Sequence, residues 1–345
     1  MSDYSSLKIS IIVPVYHVEN YIEDCFGSIA GQSYSGPMEC LFIDDRGTDR
    51  SIEIIEQLIA AYDGPIKFRI IHQEQNSGAA IARNTGIMNS QGDYLFFLDS
   101  DDILYPDTIT NLVAAVEKEN GADVVLGSYK VSDPEHTINR FQYEYQVIEG
   151  QPAIAKEYLC DRLYCMLPNK LIRRDFIIDR QLWETSGILQ GEDNLWSFQA
   201  FHLAQKVITI PEITYYYVVH QNSITTSIER EKQITCAKRV CDEVAKDVKN
   251  HRYELVEKDS QEYLDTLMST KCGGLLNQIY MTGLTRKERL SQLGAIPDDL
   301  KSLMMKYLFS SSPFMRVMKT LFQCRCYGLF DRVMCRMYSR SVTEK

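Results

Sequence analysis

The sequence predicts an α/β fold: a doubly wound, mostly parallel sheet within residues 1–228, followed by a helical C-terminal region over residues 229–345. Three observations predict it. Short apolar, β-branched runs recur through the first 130 residues, and amphipathic helical patterns fill the gaps between them. Beyond residue 229 helical periodicity with abundant Lys and Glu takes over.

Residues 8–15 (KISIIVPV) form a near-continuous run of the kind a parallel sheet buries on both faces. Residues 39–43, 67–72, 93–98 and 122–127 read the same way. Residues 19–31 set Tyr21, Ile22, Cys25, Phe26 and Ile29 on one helical stripe, and residues 51–61 do so with Ile52, Ile55, Leu58 and Ile59. Ser77 is placed to cap a helix over 78–89, and Pro106 with Asp107 suits the first turn of a helix running to Glu117. Strand and helix alternating at this spacing imply right-handed crossovers. From residue 131 the beat changes. Residues 131–150 read as a loop or short antiparallel excursion, 152–165 and 191–205 as helices, and 207–218 as one or two strands divided at Pro211.

A net charge of −10 argues against a nucleic-acid partner, since that affinity comes from clustered Lys and Arg. The same charge repels a nucleoside diphosphate unless a metal or a local basic group intervenes. Ten cysteines with no Cys-x-x-Cys pair and no zinc-spaced His read as free thiols in a reducing compartment. Met1 to Lys8 lack the basic and apolar regions of a signal peptide, and no stretch holds the roughly 20 apolar residues of a spanning helix. A cytoplasmic protein is expected.

Ligands of an open parallel sheet bind beyond the carboxyl ends of its strands, and the unusual polar residues gather there. The first strand ends in Pro14-Val15-Tyr16, the second in Asp44-Asp45, the third in Gln73-Glu74 and the fourth in Asp99-Ser100-Asp101-Asp102. Three carboxylates in four residues repel one another unless a cation is shared or water separates them. Mg²⁺ or Mn²⁺ takes one or two carboxylates with waters and phosphate oxygens; the same residues would also make a solvated Asp-rich turn ahead of Pro106. Asp45 is suited to accept hydrogen bonds from a base imide or a ribose, while Thr48 or Asp49 caps the next helix. Asn76-Ser77-Gly78 opens a small-residue helix whose N-terminus admits a phosphate or sugar, and Arg83 reaches either an acidic loop or a phosphate. Asp193, in Gly191-Glu192-Asp193-Asn194, is either a helix cap or a general base.

Together these motifs resemble the inverting glycosyltransferases of family 2, which have the Rossmann-like GT-A fold. The matching residues are Ile11-Ile12-Val13-Pro14-Val15-Tyr16, Asp44-Asp45-Arg46-Gly47-Thr48-Asp49, Asn76-Ser77-Gly78 with Ala82-Arg83-Asn84, Asp99-Ser100-Asp101-Asp102 and Glu192-Asp193. The likeness is strong over residues 8–130, moderate to 227 and absent beyond. It implies that Pro14, Val15, Tyr16, Glu19, Asp45, Asn76, Gly78, Arg83, Asp99 and Ser100 bind a nucleotide-sugar donor, expected to be UDP-linked. It implies Asp101, Asp102 and His220 around a Mg²⁺ or Mn²⁺ ion, and Asp193 as the base that deprotonates the acceptor hydroxyl. The activity implied is hexosyl or N-acetylhexosaminyl transfer to a glycan or lipid-linked saccharide in bacterial surface polysaccharide synthesis. Two positions depart from the family: Arg46-Gly47 stands where Gly-Ser is common, and His17 where Asn is frequent. Pro168-Asn169-Lys170-Leu171 resembles an acceptor-side segment in which Lys170 meets phosphate.

A sugar-phosphate nucleotidyltransferase shares such a core, but carries a Gly- and Arg-rich loop where this chain has Tyr16-His17-Val18-Glu19 and no Gly before Gly27. A non-catalytic glycan-binding protein is the third reading, against which the retained Asp101, Asp102 and Asp193 speak. In the tail, Arg316, Lys319, Arg325, Arg332, Arg336 and Arg340 stand against Asp331 alone. The tail is read in two ways: a bundle packing on the core or on another subunit of a homo-oligomer, or a basic surface lying on an anionic membrane at the inner face of the cell. The second reading uses Phe314, Leu321, Phe322, Leu329 and Phe330 as its apolar face.

Overall fold

A computed structural model describes residues 7–132, 137–188, 191–219, 230–250, 252, 265–266, 268–270, 272–276, 279–280, 284–307 and 313–343. The chain divides between Ser223 and Ile224 into two units.

The first unit begins with the expected alternation: β1 (Ile9–Val15), α1 (Ile22–Ala30), β2 (Met38–Asp44), α2 (Ser51–Ala61), β3 (Lys67–His72), α3 (Ala79–Asn89) and β4 (Tyr94–Phe97). It continues with β5 (Ile103–Leu104), α4 (Thr108–Lys118), β6 (Val124–Ser132), β7 (Thr137–Phe141), β8 (Gln146–Glu149), α5 (Gln151–Leu159), β9 (Lys170–Arg173), α6 (Arg174–Asp179), α7 (Glu192–Leu203) and β10 (Lys206–Val218). One sheet runs in the order β3-β2-β1-β4-β9-β6-β10-β5, with β7 added on β6 and β8 on β10. Strands β3, β2, β1 and β4 are parallel, as are β6 and β10. Strand β9 inserts antiparallel between β4 and β6. Nothing in its four residues announces it, because Lys170 and Arg173 interrupt the apolar pattern.

The 131–150 excursion is antiparallel, through β7 and β8. Strand β10 is continuous across Pro211, which sits within a register shift between Ile210 and Ile213. At such a bulge the missing N–H breaks no ladder bond, so the strand bends instead of ending.

Helix α1 buries Ile22, Cys25, Phe26 and Ile29, the predicted stripe. Phe26 stacks on Phe68 and Phe42 at centroid distances of 4.5 and 6.0 Å, and burying each ring stabilises by roughly 1.5–3 kcal/mol. That cluster takes Ile9, Ile11 and Val13 from one face of β1. Ile12, on the alternate face, meets α3 at Gly86, where any Cβ would clash with the Ile12 Cγ2. The glycine lets α3 lie flush on β1, which fixes how far its side chains reach over the carboxyl rim.

The second unit contains α8 (Arg230–Lys249), α9 (Arg286–Ala295), α10 (Asp298–Tyr307), α11 (Pro313–Gln323) and α12 (Tyr327–Thr343). It has its own apolar cluster, including Ile234, Leu293, Met304, Phe322 and Phe330. Thr285 and Glu288 close a capping box at the start of α9, and the buried Asp331 is paired with Arg289 at 2.7 Å. Phe322 and Phe330 are 1% and 0% exposed, which corrects their expected place on a membrane face: they form the unit's core. Val317 and Leu329 are the large apolar side chains of the tail that lie exposed among its described residues, near the exposed Arg316, Arg325 and Arg332. Among the described residues no helix is long and apolar enough to cross a membrane.

Candidate active site

Beyond β4 the chain turns at the acidic cluster, with Asp102 N–H donating to the Asp99 carbonyl at 3.1 Å. The turn leaves Asp99 and Asp101 half-buried and buries Ser100 and Asp102. Asp102 is 1% exposed; one oxygen accepts from Val218 N–H at 2.7 Å and the other from the Tyr215 hydroxyl. Burial pushes its carboxyl well above the usual range, helped by Asp101 and Asp99, while the two hydrogen bonds oppose. Asp102 therefore fastens the acidic turn to β10. Asp99 and Asp101 retain partly exposed carboxylates. Among the described residues no three His, Cys, Asp or Glu side chains converge as a complete cation site. One or two carboxylates are nonetheless the donor set that Mg²⁺ or Mn²⁺ takes when phosphate oxygens and water complete its shell.

Arg83, one turn into α3, is 4% exposed and joins the separate parts of the rim. Its Nη2 lies 2.8 Å from Asp99 Oδ1, and its Nη1 lies 3.1 Å from Glu184 Oε2, 3.7 Å from Asp193 Oδ1 and 4.0 Å from Glu192 Oε1. Of the two destinations expected for Arg83, it has taken the acidic loop. Burial acts to lower the guanidinium, but Glu184, Asp99, Asp193 and Glu192 together hold it well above its ordinary value.

Glu184 was not legible as a site residue. It is clamped by Asn84, whose side chain both donates to the Glu184 carbonyl and accepts from its N–H, each at 2.9 Å. Burial lifts its carboxyl to about 8 against the pull of Arg83. The available signal was slight: an acid directly after the apolar pair Leu182-Trp183, followed by Thr185 and Ser186.

Helix α7 starts at Glu192 behind Gly191, which adopts φ 92° and makes no side-chain cap. Asp193 is thus not the cap. Its Oδ2 accepts from Leu167 N–H at 3.3 Å, while Oδ1 is enclosed on the Arg83 side without a hydrogen bond. Burial raises the Asp193 carboxyl, with Arg83 opposing, and it raises neighbouring Glu192 to about 7.

At the other end of the rim, Asp45 is 2% exposed and fully engaged. It accepts from Gln73 Nε2 at 2.5 Å and from the amides of Ser77 and Gly78 at 2.7 and 2.9 Å. Asp45 thus ties the loop that leads into α3 to the end of β2. Ser77 is not the cap either, since Gly78 at φ 85° takes that position. Asp44, beside it, accepts from His72 Nδ1 at 2.7 Å.

Both departures from the family pattern fall in the left-handed region, His17 at φ 55° and Arg46 at φ 61°. Asn and Gly adopt that conformation most readily, which accounts for their frequency at these positions. Tyr16 is 48% exposed, with its ring tilted on His17 at 4.3 Å. Asn76 and Gly78 are exposed on the rim, and Pro14 is half-buried in β1. Val15 is a core residue whose carbonyl accepts from Asp45 N–H at 3.0 Å. Glu19 accepts from Arg50 N–H at 3.0 Å and helps Asp49 close the loop before α2. His220 lies outside the described residues. Lys170 is 0% exposed and donates to the Met166 carbonyl, so it does not meet phosphate.

Residues 10–180 match glycosyl transferase family 2. The uncharacterised glycosyltransferase EpsJ of Bacillus subtilis is 34% identical over 221 residues, 63% of this chain and 62% of EpsJ. The poly(ribitol-phosphate) β-N-acetylglucosaminyltransferase TarS of Staphylococcus aureus is 27% identical over 214 residues, 61% of this chain and 35% of TarS. The chain thus spans less than two thirds of the length of either relative. Residues 1–349 of TarS, solved with UDP-GlcNAc, superpose with a TM-score of 0.64 at 18% identity, over 97% of this chain and 92% of that one. A mannosyltransferase from Pyrobaculum calidifontis, solved with GDP-Man and Mn²⁺, gives 0.52 at 15% identity over 96% of this chain and 87% of that one. The sheet and its helices have the GT-A fold, and through residues 10–180 the chain belongs to glycosyl transferase family 2.

Proposed function

We propose that this chain is an inverting glycosyltransferase that moves a hexosyl or N-acetylhexosaminyl group from a UDP-linked sugar to a hydroxyl of a glycan or lipid-linked saccharide, in bacterial surface polysaccharide synthesis. The observation that carries this reading is the guanidinium of Arg83, shared by the acidic turn at Asp99 and the partly exposed carboxylate of Asp193. It sets an anion-and-metal station beside a carboxylate whose affinity for a proton is raised by burial. The names of TarS and of the Pyrobaculum enzyme, with their nucleotide sugars, support the donor class.

Asp193 takes the proton of the acceptor hydroxyl as that oxygen attacks the anomeric carbon, opposite the departing diphosphate. One carboxylate suffices for a single displacement, and the anomeric centre inverts. Asp101, with Asp99 beside it, would hold a Mg²⁺ or Mn²⁺ ion, which when bound would offset the charge of the leaving diphosphate. Exposed Tyr16 and Asn76 border the nucleoside end, which Asp45 shapes by holding the 73–78 turn. Residues 1–228 form the catalytic domain. Residues 229–345 serve association, through subunit contact or through the exposed Arg316, Arg325 and Arg332 against an anionic leaflet of the cytoplasmic face.

Nucleotide release from a panel of uridine- and guanosine-linked sugars, with and without Mn²⁺ or Mg²⁺, tests this. Release confined to a uridine donor and abolished by chelation is expected. Asp193→Asn should lose about 10²-fold or more in kcat while nucleotide affinity is kept; full activity in that variant would remove the base assignment.

A further inference from the structure

Lys170 is a buried cation that the reaction as proposed does not use. It is the first residue of β9, registered against Leu126 of β6, and its side chain is wholly enclosed. Its Nζ donates to the Met166 carbonyl and to Asn169 Oδ1 at 3.3 Å. Asn169 holds the turn from the other side: at φ 72° it donates to the Gly127 carbonyl at 2.7 Å. Ser197 of α7 pins the Cys165 carbonyl at 2.6 Å. Between these anchors lies Leu167, whose N–H points at Asp193 Oδ2.

We propose that Lys170 is a positioning residue for the base: its amine clamps the 166–169 turn, holding the Leu167 N–H on Asp193 and placing a second positive charge behind that carboxylate. The charge arrangement favours this. Asp193 faces Asp99 from the acidic turn, with the raised carboxyls of Glu184 and Glu192 beside it, and Arg83 from α3 is the cation on that side. Lys170 supplies the cation on the other side, and Asp193 and Cys165 in turn favour its charged form. Burial lowers the amine to about 8, so it remains largely charged at neutral pH.

The inference rests on Asp193 acting as the base. Its test compares the full chain carrying Lys170→Met, and Lys170→Gln, which keeps an N–H for Met166 but drops the charge, with Ser197→Ala, which loosens the same turn without removing charge. The readout is release of UDP from UDP-N-acetylglucosamine with Mn²⁺, as a function of pH, with thermal melts as folding controls. Both Lys170 variants should lose on the order of tenfold or more in kcat with donor KM little changed. Their acidic limb should move up by about half a unit or more, since a lost nearby cation raises a carboxyl pKa. Ser197→Ala should lower kcat without moving the limb. A wild-type kcat and limb in Lys170→Met would overturn the proposal, as would an equal limb shift in Ser197→Ala or loss of fold in both Lys170 variants. Asp193→Asn run in parallel separates the two readings. If it is dead while Lys170→Met is normal, only this inference falls; if it is fully active, the base assignment falls first.

Discussion

Arg83 and Asp99 meet at 2.8 Å, and the same guanidinium lies 3.7 Å from Asp193. The turn that closes β4 and the helix that carries the proposed base are therefore registered on one rigid, planar cation. A lysine carries its three donors on a single nitrogen and has no planar fork to span both partners. Arg83→Lys should lose on the order of 10² in kcat/KM while still folding. Arg83→Met, which strands several carboxylates, should cost about 3–5 kcal/mol in urea unfolding.

Glu184 makes a prediction about pH. Its folded pKa of about 8 lies above the ordinary glutamate value, so the native state keeps a proton that the unfolded chain has lost. Stability contributed this way is fully present at low pH and falls as pH rises from about 5 to about 8. Glu184→Gln retains an oxygen for Arg83 but cannot ionise. Its melting temperature should drop less than that of the wild type between pH 5.5 and 8.5; an unchanged slope would show that Glu184 does not carry the effect.

Tyr215→Phe removes one of the two partners of Asp102 in a fully buried place. The expected cost is about 1–3 kcal/mol, read from the urea midpoint. Because Asp102 anchors the acidic turn, metal-supported nucleotide binding should weaken as well, measurable by calorimetry with Mn²⁺. Stability lost with unchanged binding would place the turn's rigidity elsewhere.

Gly86→Ala tests the seating of α3. The new methyl would clash with Ile12, and overpacking of this kind costs about 1–3 kcal/mol. Ile12→Ala should destabilise alone yet offset part of the Gly86→Ala cost in the double variant, since neighbours in contact are not additive. Simple additivity would mean the two do not press on each other.

The strands that are buried on both faces were readable because their apolar runs are long and bounded, as in β1, β2 and β4. The acidic turn and Asp193 were readable as candidates because charge at a strand end or a helix start is unusual. What those residues do with their neighbours was not. That Asp45 spends its oxygens on Ser77 and Gly78, and Asp102 on Tyr215 and Val218, depends on chain partners 32 to 116 positions away. No local pattern carries such pairings. Glu184, and the buried setting of Lys170, were hidden for a related reason: a buried charge leaves no periodic mark, and only the packed structure shows what compensates it.

Strand β9 has a consequence for how the protein is made. Strand β4 is complete by Phe97, yet one of its two edges is covered only by Lys170–Arg173, more than seventy positions later. A nascent or proteolysed fragment ending before that point presents an open row of peptide groups flanked by Leu95 and Phe97, the template on which chains add to one another. Productive folding of the first unit must therefore await β9 and cannot proceed strand by strand from the N-terminus. Fragments cut between residues 105 and 165 should be recovered as aggregates, whereas those that extend past α7 and β10 carry everything needed to seal the sheet.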